Sequence, residues 1–486
     1  MNRPVRRVVV AVMILFVALL GNITYVQFVQ TGSLRANPDN QRVVIAAYDH
    51  PRGLIIADGT AIATSVATKD RLKYQRRYPE GPIFAPVTGF DSLYNATGID
   101  GVEDNLLAGT DSRLTLSKIS DIFTGRRPKG GNVVVTISRR AQETAYKAMA
   151  KQTGAVVALD PRTGGILALV STPSYDPNLL SGHDSSQTNK VYNALDKRPT
   201  QPLLDRAISQ TYPPGSTFKT VVTAAALKAG YTPQTRVPSP DGYQLPQSSH
   251  VLHNFGGESC GDGKTDTLID ALTISCNTAY AGLGVKLGAK ALKAQAAAYG
   301  INDRGFRMPL RVAASSAGTI PNDAQLAESS IGQQDVRITP LQGAMIAAAV
   351  ANGGVLMKPY LIKQEQAPDL TVLSTTEPRV MGTAMSPAVA ADLTTMMQSV
   401  VDNGTGKPAR IPGVKVAGKT GTADNAPGKA PHAWFIGFAP ADHPTVAVAV
   451  LIEHGGVNGN ETTGGEAAGP IAKAVMHAIL AQQAGH

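Results

Sequence analysis

Between Arg7 and Arg35 the chain carries no charged residue, and residues 8–29 are almost wholly apolar. About 20 such residues span a hydrocarbon core, so this stretch predicts one transmembrane helix and withdraws itself from whatever globular fold follows. Arg3, Arg6 and Arg7 stand on its N-terminal side, which by the positive-inside rule leaves residues 1–7 as a cytoplasmic tail. The competing reading is a cleaved secretory signal, with an apolar core of roughly 7–15 residues ending at small residues; Gly21 and Asn22 permit it. The longer run, with Tyr25 and Phe28 where interfacial aromatics belong, favours a retained anchor in the cell membrane. Under either reading everything beyond Gln30 lies outside the cytoplasm.

That location decides what the composition means. The chain of 486 residues holds 45 Lys and Arg against 36 Asp and Glu, a net charge of +9. The compartment excludes nucleic acid as the anionic partner and leaves a membrane surface or an acidic wall polymer. With 43% hydrophobic and 17% charged residues, there is material for a sizeable core and no case for disorder. The sequence has no CxxC, no HExxH and no Cys/His cluster, so neither a metal nor a cofactor is expected. Its two cysteines, Cys260 and Cys276, can join in an oxidising compartment. Alternatively Cys276 is a small buried residue and Cys260 an unpaired surface thiol.

Residues 30–150 read as a small mixed module, with strand signals around Arg52 and at 131–137 and a helix at 139–151 capped by Ser138. Residues 151–486 read as a larger α+β domain. It opens on a hairpin, 154–159 and 166–170, around Asp160-Pro161 and Gly164-Gly165. Ala-rich helices follow at 220–229 and 341–351, with a Pro/Ser/Gly-rich surface loop at 232–263. Strands return at 414–422, 434–439 and 445–453 before a closing helix at 465–483. Strands first and last with helices between predict one sheet joined from distant segments and covered by helices on its faces.

Three short patterns stand in order within that domain. They are Ser216-Thr217-Phe218-Lys219, Ser275-Cys276-Asn277 and Lys419-Thr420-Gly421-Thr422. Each is weak alone, since Ser216 reads equally as a helix cap and Ser275-Asn277 as a turn. Tyr212-Pro213-Pro214-Gly215 forces a turn before Ser216, placing that hydroxyl at a helix start, where free N–H groups favour an oxyanion. Lys219, three residues on, shares its face. A buried lysine beside another cation loses its proton and can serve as the base a serine nucleophile needs. Ser275 suits proton transfer to a leaving amine, and Asn277 suits holding Lys219 and a substrate amide. Lys419 with the hydroxyls of Thr420 and Thr422 suits a carboxylate. Gly421 is expected to make room for a substrate backbone, and the N–H groups of Thr422 and Ser216 to form an oxyanion hole. Trp434 and His432 read as strand packing.

The ordered set resembles that of penicillin-binding proteins and serine β-lactamases, and the chain as a whole resembles the short class B penicillin-binding proteins. Arg52-Gly53, Asp58-Gly59 and Gly101-Val102-Glu103 resemble the family's N-terminal pedestal, a module of dimerisation type. Ser171-Thr172-Pro173, Arg206-Ala207-Ile208, Gly332-Gln333 and Ala433-Trp434-Phe435 resemble its transpeptidase domain. The resemblance implies a penicilloyl-serine transferase (β-lactamase-like) fold. It also implies acylation of Ser216 by the D-Ala-D-Ala end of a peptidoglycan stem peptide, trapping by β-lactams, and docking to a polytopic glycan polymerase of the SEDS class. Gln334 departs from the Gly the family often has there. A Cys260–Cys276 bridge would tie the long loop beside the nucleophile, worth about 3 kcal/mol. A class A β-lactamase would present E-x-x-x-N between the second and third motifs. Glu328, Glu365 and Glu377 lie in that interval without an Asn four residues later, so a long-lived acyl-enzyme is expected. A non-catalytic β-lactam sensor or scaffold is the remaining alternative.

Overall fold

The computed structural model describes residues 3–30, 45, 48–115, 129–149, 151–424, 428–461 and 463–484. The apolar stretch forms a helix, Arg3–Thr24, that continues through Tyr25–Val29 with no buried residue. Its length and apolar surface suit a membrane crossing.

The larger domain is built on a five-stranded antiparallel sheet in the order Ala417–Ala423, His432–Ala439, Val446–Ile452, Gly154–Leu159, Ile166–Thr172. Its halves are almost 250 residues apart in the chain yet pair in register, with Ala447 opposite Leu159 and Ile452 opposite Gly154. Period-two alternation sorts side chains by size rather than polarity, because both faces are covered. Val446, Val448 and Val450 join the core made with the helices Arg139–Ala148 and Gly464–Ala484. Ala447 and Ala449 face the nearly all-buried helix Pro340–Ala351, whose Gly343 lies against Ala449. Small residues on that face let the helix come close, and Trp434, Ile436 and Phe438 fill the rest. The opening hairpin turns through Gly164 at φ +84°, with its N–H on the Asp160 carbonyl at 2.8 Å. The α+β fold with helices on both faces is therefore present.

Two expectations change. The boundary at residue 150 assigns every pedestal strand to the first module, but the pedestal sheet runs Val372–Thr375, Ile362–Gln366, Asn132–Val135, Ile55–Ala57, Thr60–Ala67, Tyr74–Arg77. Two of its six strands thus come from within the chain segment of the larger domain. Glu365 pairs with Val133 across the join and is held by Arg113 and Ser374, well occupied as a structural carboxylate. The surface loop expected over 232–263 contains three short strands, Arg236–Pro238, Gly242–Gln244 and Val251–His253. Their three-residue length is below what a periodicity signal can reveal. Within the pedestal, fully buried Asp100 accepts from Arg52 Nε and Arg76 Nε, each at 3.1 Å, and from Tyr78 OH at 2.7 Å. A buried charge paired on several sides avoids the penalty that isolation would carry.

Candidate active site

The turn before Ser216 is clamped from several elements. Tyr212 exchanges backbone bonds with Ile338 at 2.8 and 2.9 Å, Gly215 N–H donates to the Gly332 carbonyl at 3.0 Å, and Trp434 Nε1 donates to the Pro213 carbonyl at 3.0 Å. Gly215 sits at φ +53°, and a β-carbon there would lie 2.4 Å from the Thr422 carbonyl. A glycine is required on both counts, and it brings the serine turn against the Thr422 peptide. Ser216 lies in one turn of 3-10 helix, Gly215–Phe218, which feeds the helix Lys219–Lys228. It is half-buried between buried neighbours.

Lys219 is completely buried one turn on. Its Nζ donates to the Ser275 carbonyl at 2.7 Å and to Asn277 Oδ1 at 2.8 Å, and stands 3.3 Å from Ser275 Oγ. Ser275 occupies a break between the helices Leu268–Thr273 and Asn277–Leu287, in the left-handed region at φ +65°. That conformation, uncommon for serine, turns both its carbonyl and its hydroxyl toward the lysine. Lys419 Nζ reaches the same hydroxyl at 2.8 Å and donates to the Thr420 carbonyl at 2.9 Å. Burial, then repulsion from Lys419, hold the Lys219 amine well below the ordinary lysine range. Burial pushes Lys419 down to about 7. A neutral Lys219 amine has two hydrogens, and two oxygens that can only accept take both. Its lone pair is then left for a hydroxyl proton.

Gly421, in the Lys419–Thr422 strand, packs against the serine-bearing turn. A β-carbon there would lie 2.8 Å from both the Pro214 carbonyl and Thr217 Cγ2, and 3.1 Å from Trp434 Cβ. The glycine makes room for that turn. Thr420 Oγ1 pairs with Thr405 Oγ1 at 2.6 Å, and Thr422 Oγ1 accepts from Gly464 N–H at 3.4 Å. Thr405 was invisible to motif reading because it lies outside all three patterns. Glu453 was missed for the same reason. One of its oxygens accepts from Arg206 Nε at 2.9 Å and Tyr212 OH at 2.6 Å, tying the turn to the end of a central strand. His432 is buried edge-on to Tyr212 and accepts from His454 N–H at 3.2 Å. Burial and the neighbouring His454 push it down to about 4, which leaves it a neutral packing group. Cys260 and Cys276 form a disulfide, so the segment before Cys260 is tied directly to the Ser275-Cys276-Asn277 turn.

Comparison with known proteins agrees with this geometry. The penicillin binding protein transpeptidase domain model matches residues 154–477, and the penicillin binding protein A dimerisation domain model matches residues 52–133. Peptidoglycan D,D-transpeptidase PbpA of Mycolicibacterium smegmatis is 48% identical over 492 residues, covering 99% of each chain. The protein of that name from Mycobacterium tuberculosis is 47% identical over 489 residues, again 99% of each. Among solved structures, the ceftriaxone acyl-enzyme complex of penicillin-binding protein A from M. tuberculosis is 47% identical, with a TM-score of 0.88 over 90% of this chain and 100% of that one. Its penicillin G acyl-enzyme complex has a TM-score of 0.85 over 89% and 100%. A serine turn, a neutral-amine environment and a lysine-bearing strand on a matching fold lead to one assignment: the chain belongs to the penicillin-binding protein transpeptidase family.

Proposed function

We infer that the protein is a peptidoglycan D,D-transpeptidase that works through a serine acyl-enzyme and is inhibited covalently by β-lactams. The observation that carries the reading is the buried Lys219 amine, with both hydrogens engaged by the Ser275 carbonyl and Asn277 Oδ1. In this scheme Ser216 Oγ attacks the carbonyl between the two terminal D-alanines and its proton passes to Lys219. The C–N bond breaks, and Ser275, fed by Lys219 and steadied by Lys419, protonates the departing D-alanine amine. Lys419 offers positive charge to the terminal carboxylate. An amine of a neighbouring stem then attacks the ester, re-forming an amide and returning the proton to Ser216. With a β-lactam the broken amide stays tethered through the opened ring, so the amine does not leave and the ester persists.

The anchor and its arginines support a single-pass membrane protein with its N-terminus cytoplasmic and its catalytic domain outside. We further propose a pedestal module made of residues 30–150 together with the strands Ile362–Gln366 and Val372–Thr375, the rest of residues 151–486 as the transpeptidase domain, and a SEDS-class glycan polymerase as membrane partner. Protease protection of an N-terminal tag in sealed vesicles tests the orientation, and crosslinking in membranes tests the partner. The enzyme reading itself is tested by labelling with a fluorescent penicillin and mapping the modified peptide. The adduct is expected on the peptide holding Ser216 and absent from Ser216→Ala. An adduct on another residue, or none, overturns it.

A further inference from the structure

Asn277 does not hold its own orientation. Its helix, Asn277–Leu287, begins at Cys276, whose side chain makes no cap to the free N–H groups of the first turn. The cap comes instead from Asn254, 23 residues earlier in the chain. Asn254 Oδ1 accepts from Asn277 N–H at 2.8 Å and from Thr278 N–H at 3.1 Å, and its Nδ2 donates to the Glu258 carbonyl at 3.0 Å. An amide carbonyl with two acceptor positions is well matched to two orphan helix donors. The adjacent residue completes the seat, because the His253 carbonyl accepts from Asn277 Nδ2 at 3.3 Å. With its NH2 group turned to that carbonyl, the Asn277 amide presents Oδ1 to Lys219 Nζ at 2.8 Å. Asn254 is itself buried, whereas the flanking His253 and Phe255 are exposed. One side chain of the segment is therefore turned inward, onto the second motif.

Resting on the transpeptidase reading, we propose that Asn254 is a positioning residue for the acylation step, acting through Asn277 to hold the Lys219 amine dry and aimed. The two contacts it makes fix where the helix starts, and the start of the helix fixes the Asn277 side chain. The groups that face Lys219 are Lys419 from its strand, Ser275 from the turn, Asn277, and the Tyr280 ring of the same helix at 5.5 Å. The His253 imidazole lies 3.3 Å from the Asp241 carbonyl. Burial is the main influence holding the Lys219 amine low. Unseating Asn277 admits water, which stabilises the protonated amine and leaves less free base at a given pH.

The test is the second-order rate constant for acylation by a fluorescent penicillin across pH, measured on the full-length detergent-solubilised protein with thermal melting alongside. Asn254→Ala is expected to slow acylation about tenfold at neutral pH, a part of the roughly 10²–10⁴-fold that a positioned base supplies. It should also move the midpoint of the rate profile to higher pH. Asn254→Asp keeps both acceptor contacts but loses the donation to the Glu258 carbonyl, and is expected to retain more of the rate than the alanine variant. Unchanged rate and midpoint in Asn254→Ala would overturn the proposal. So would a lowered melting temperature without a displaced midpoint, or an Asn254→Asp rate that falls as far as that of the alanine variant. If Asn254→Ala does not fold, retention of the rate and midpoint in Asn254→Asp supports the proposal and their loss overturns it. Failure of the transpeptidase reading is separate, since the unsubstituted protein would then take no label on Ser216.

Discussion

Lys419 Nζ lies 2.8 Å from Ser275 Oγ, so a strand that closes the molecule's central sheet reaches across the cleft to the turn facing Lys219. Lys219 Nζ stands 3.3 Å from the same oxygen, so both amines bear on one hydroxyl. Lys419→Met removes both the donor and the cation that depresses Lys219. Acylation by a fluorescent penicillin should fall about 100-fold, and the remaining rate should rise at higher pH than before. A variant with an unmoved profile would show that the two amines do not communicate.

The same pair predicts how stability follows pH. In the unfolded chain a lysine keeps its proton to about pH 10.4, whereas Lys419 in the folded chain releases it near 7, and the Lys219 amine is likewise held well below the ordinary lysine range. Between about pH 7 and 9 the unfolded state therefore binds more protons, and stability rises with pH, by up to about 1.4 kcal/mol per pH unit for each proton of difference. Below the folded values the contribution levels off. Urea unfolding at several pH values, compared with Lys419→Met, isolates the effect. The difference between the two proteins should grow with pH, and a flat difference would mean that Lys419 stays charged when buried.

Gly421→Ala places a methyl group 2.8 Å from the Pro214 carbonyl and Thr217 Cγ2. Backbone on one side and the Trp434 β-carbon on the other leave little room to yield, so a cost of about 1–3 kcal/mol is expected. Because the displaced atoms belong to the Ser216 turn, the acylation rate should fall more than stability does. Stopped-flow labelling beside a melting curve separates the two.

Glu453→Ala would strip a carboxylate from Arg206, which is 3% exposed, and from the Tyr212 hydroxyl. The backbone carbonyls of Gln201 and Thr200 would remain Arg206's partners. A loss of about 3 kcal/mol is expected from leaving that guanidinium without its counter-charge. Tyr212→Phe, which removes one hydrogen bond, should cost about 1 kcal/mol. Chemical unfolding of the two variants checks the order.

Cys260→Ser opens a closure spanning 16 positions. The chain-entropy argument puts the loss at about 3 kcal/mol. Melting with and without reductant should show the unsubstituted protein falling toward the variant, while the variant is indifferent to reductant.

Much of the site was legible in the chain because its parts are local. The Pro213-Pro214-Gly215 turn, the i+3 spacing of Ser216 and Lys219, and the alternating strands are short-range patterns that backbone sterics translate directly. Thr405, Glu453 and Asn254 were not legible, since each acts on a motif from a distant stretch and carries no local signature. The two strands at 362–375 escaped assignment to the pedestal because their partner, Asn132–Val135, lies more than 200 residues earlier.

By itself the sequence determined the apolar N-terminal helix, the two-faced burial of the central strands, and the order of the chemical groups, all of which depend on neighbours within a few residues. Only the tertiary structure decided that Lys219 and Lys419 share one hydroxyl and lose affinity for protons. It alone gave Gly421 its packing role and drew Ser275 into the left-handed region. Desolvation, close packing and long-range pairing are sums over atoms that meet only when the chain has folded, so no window of sequence contains them.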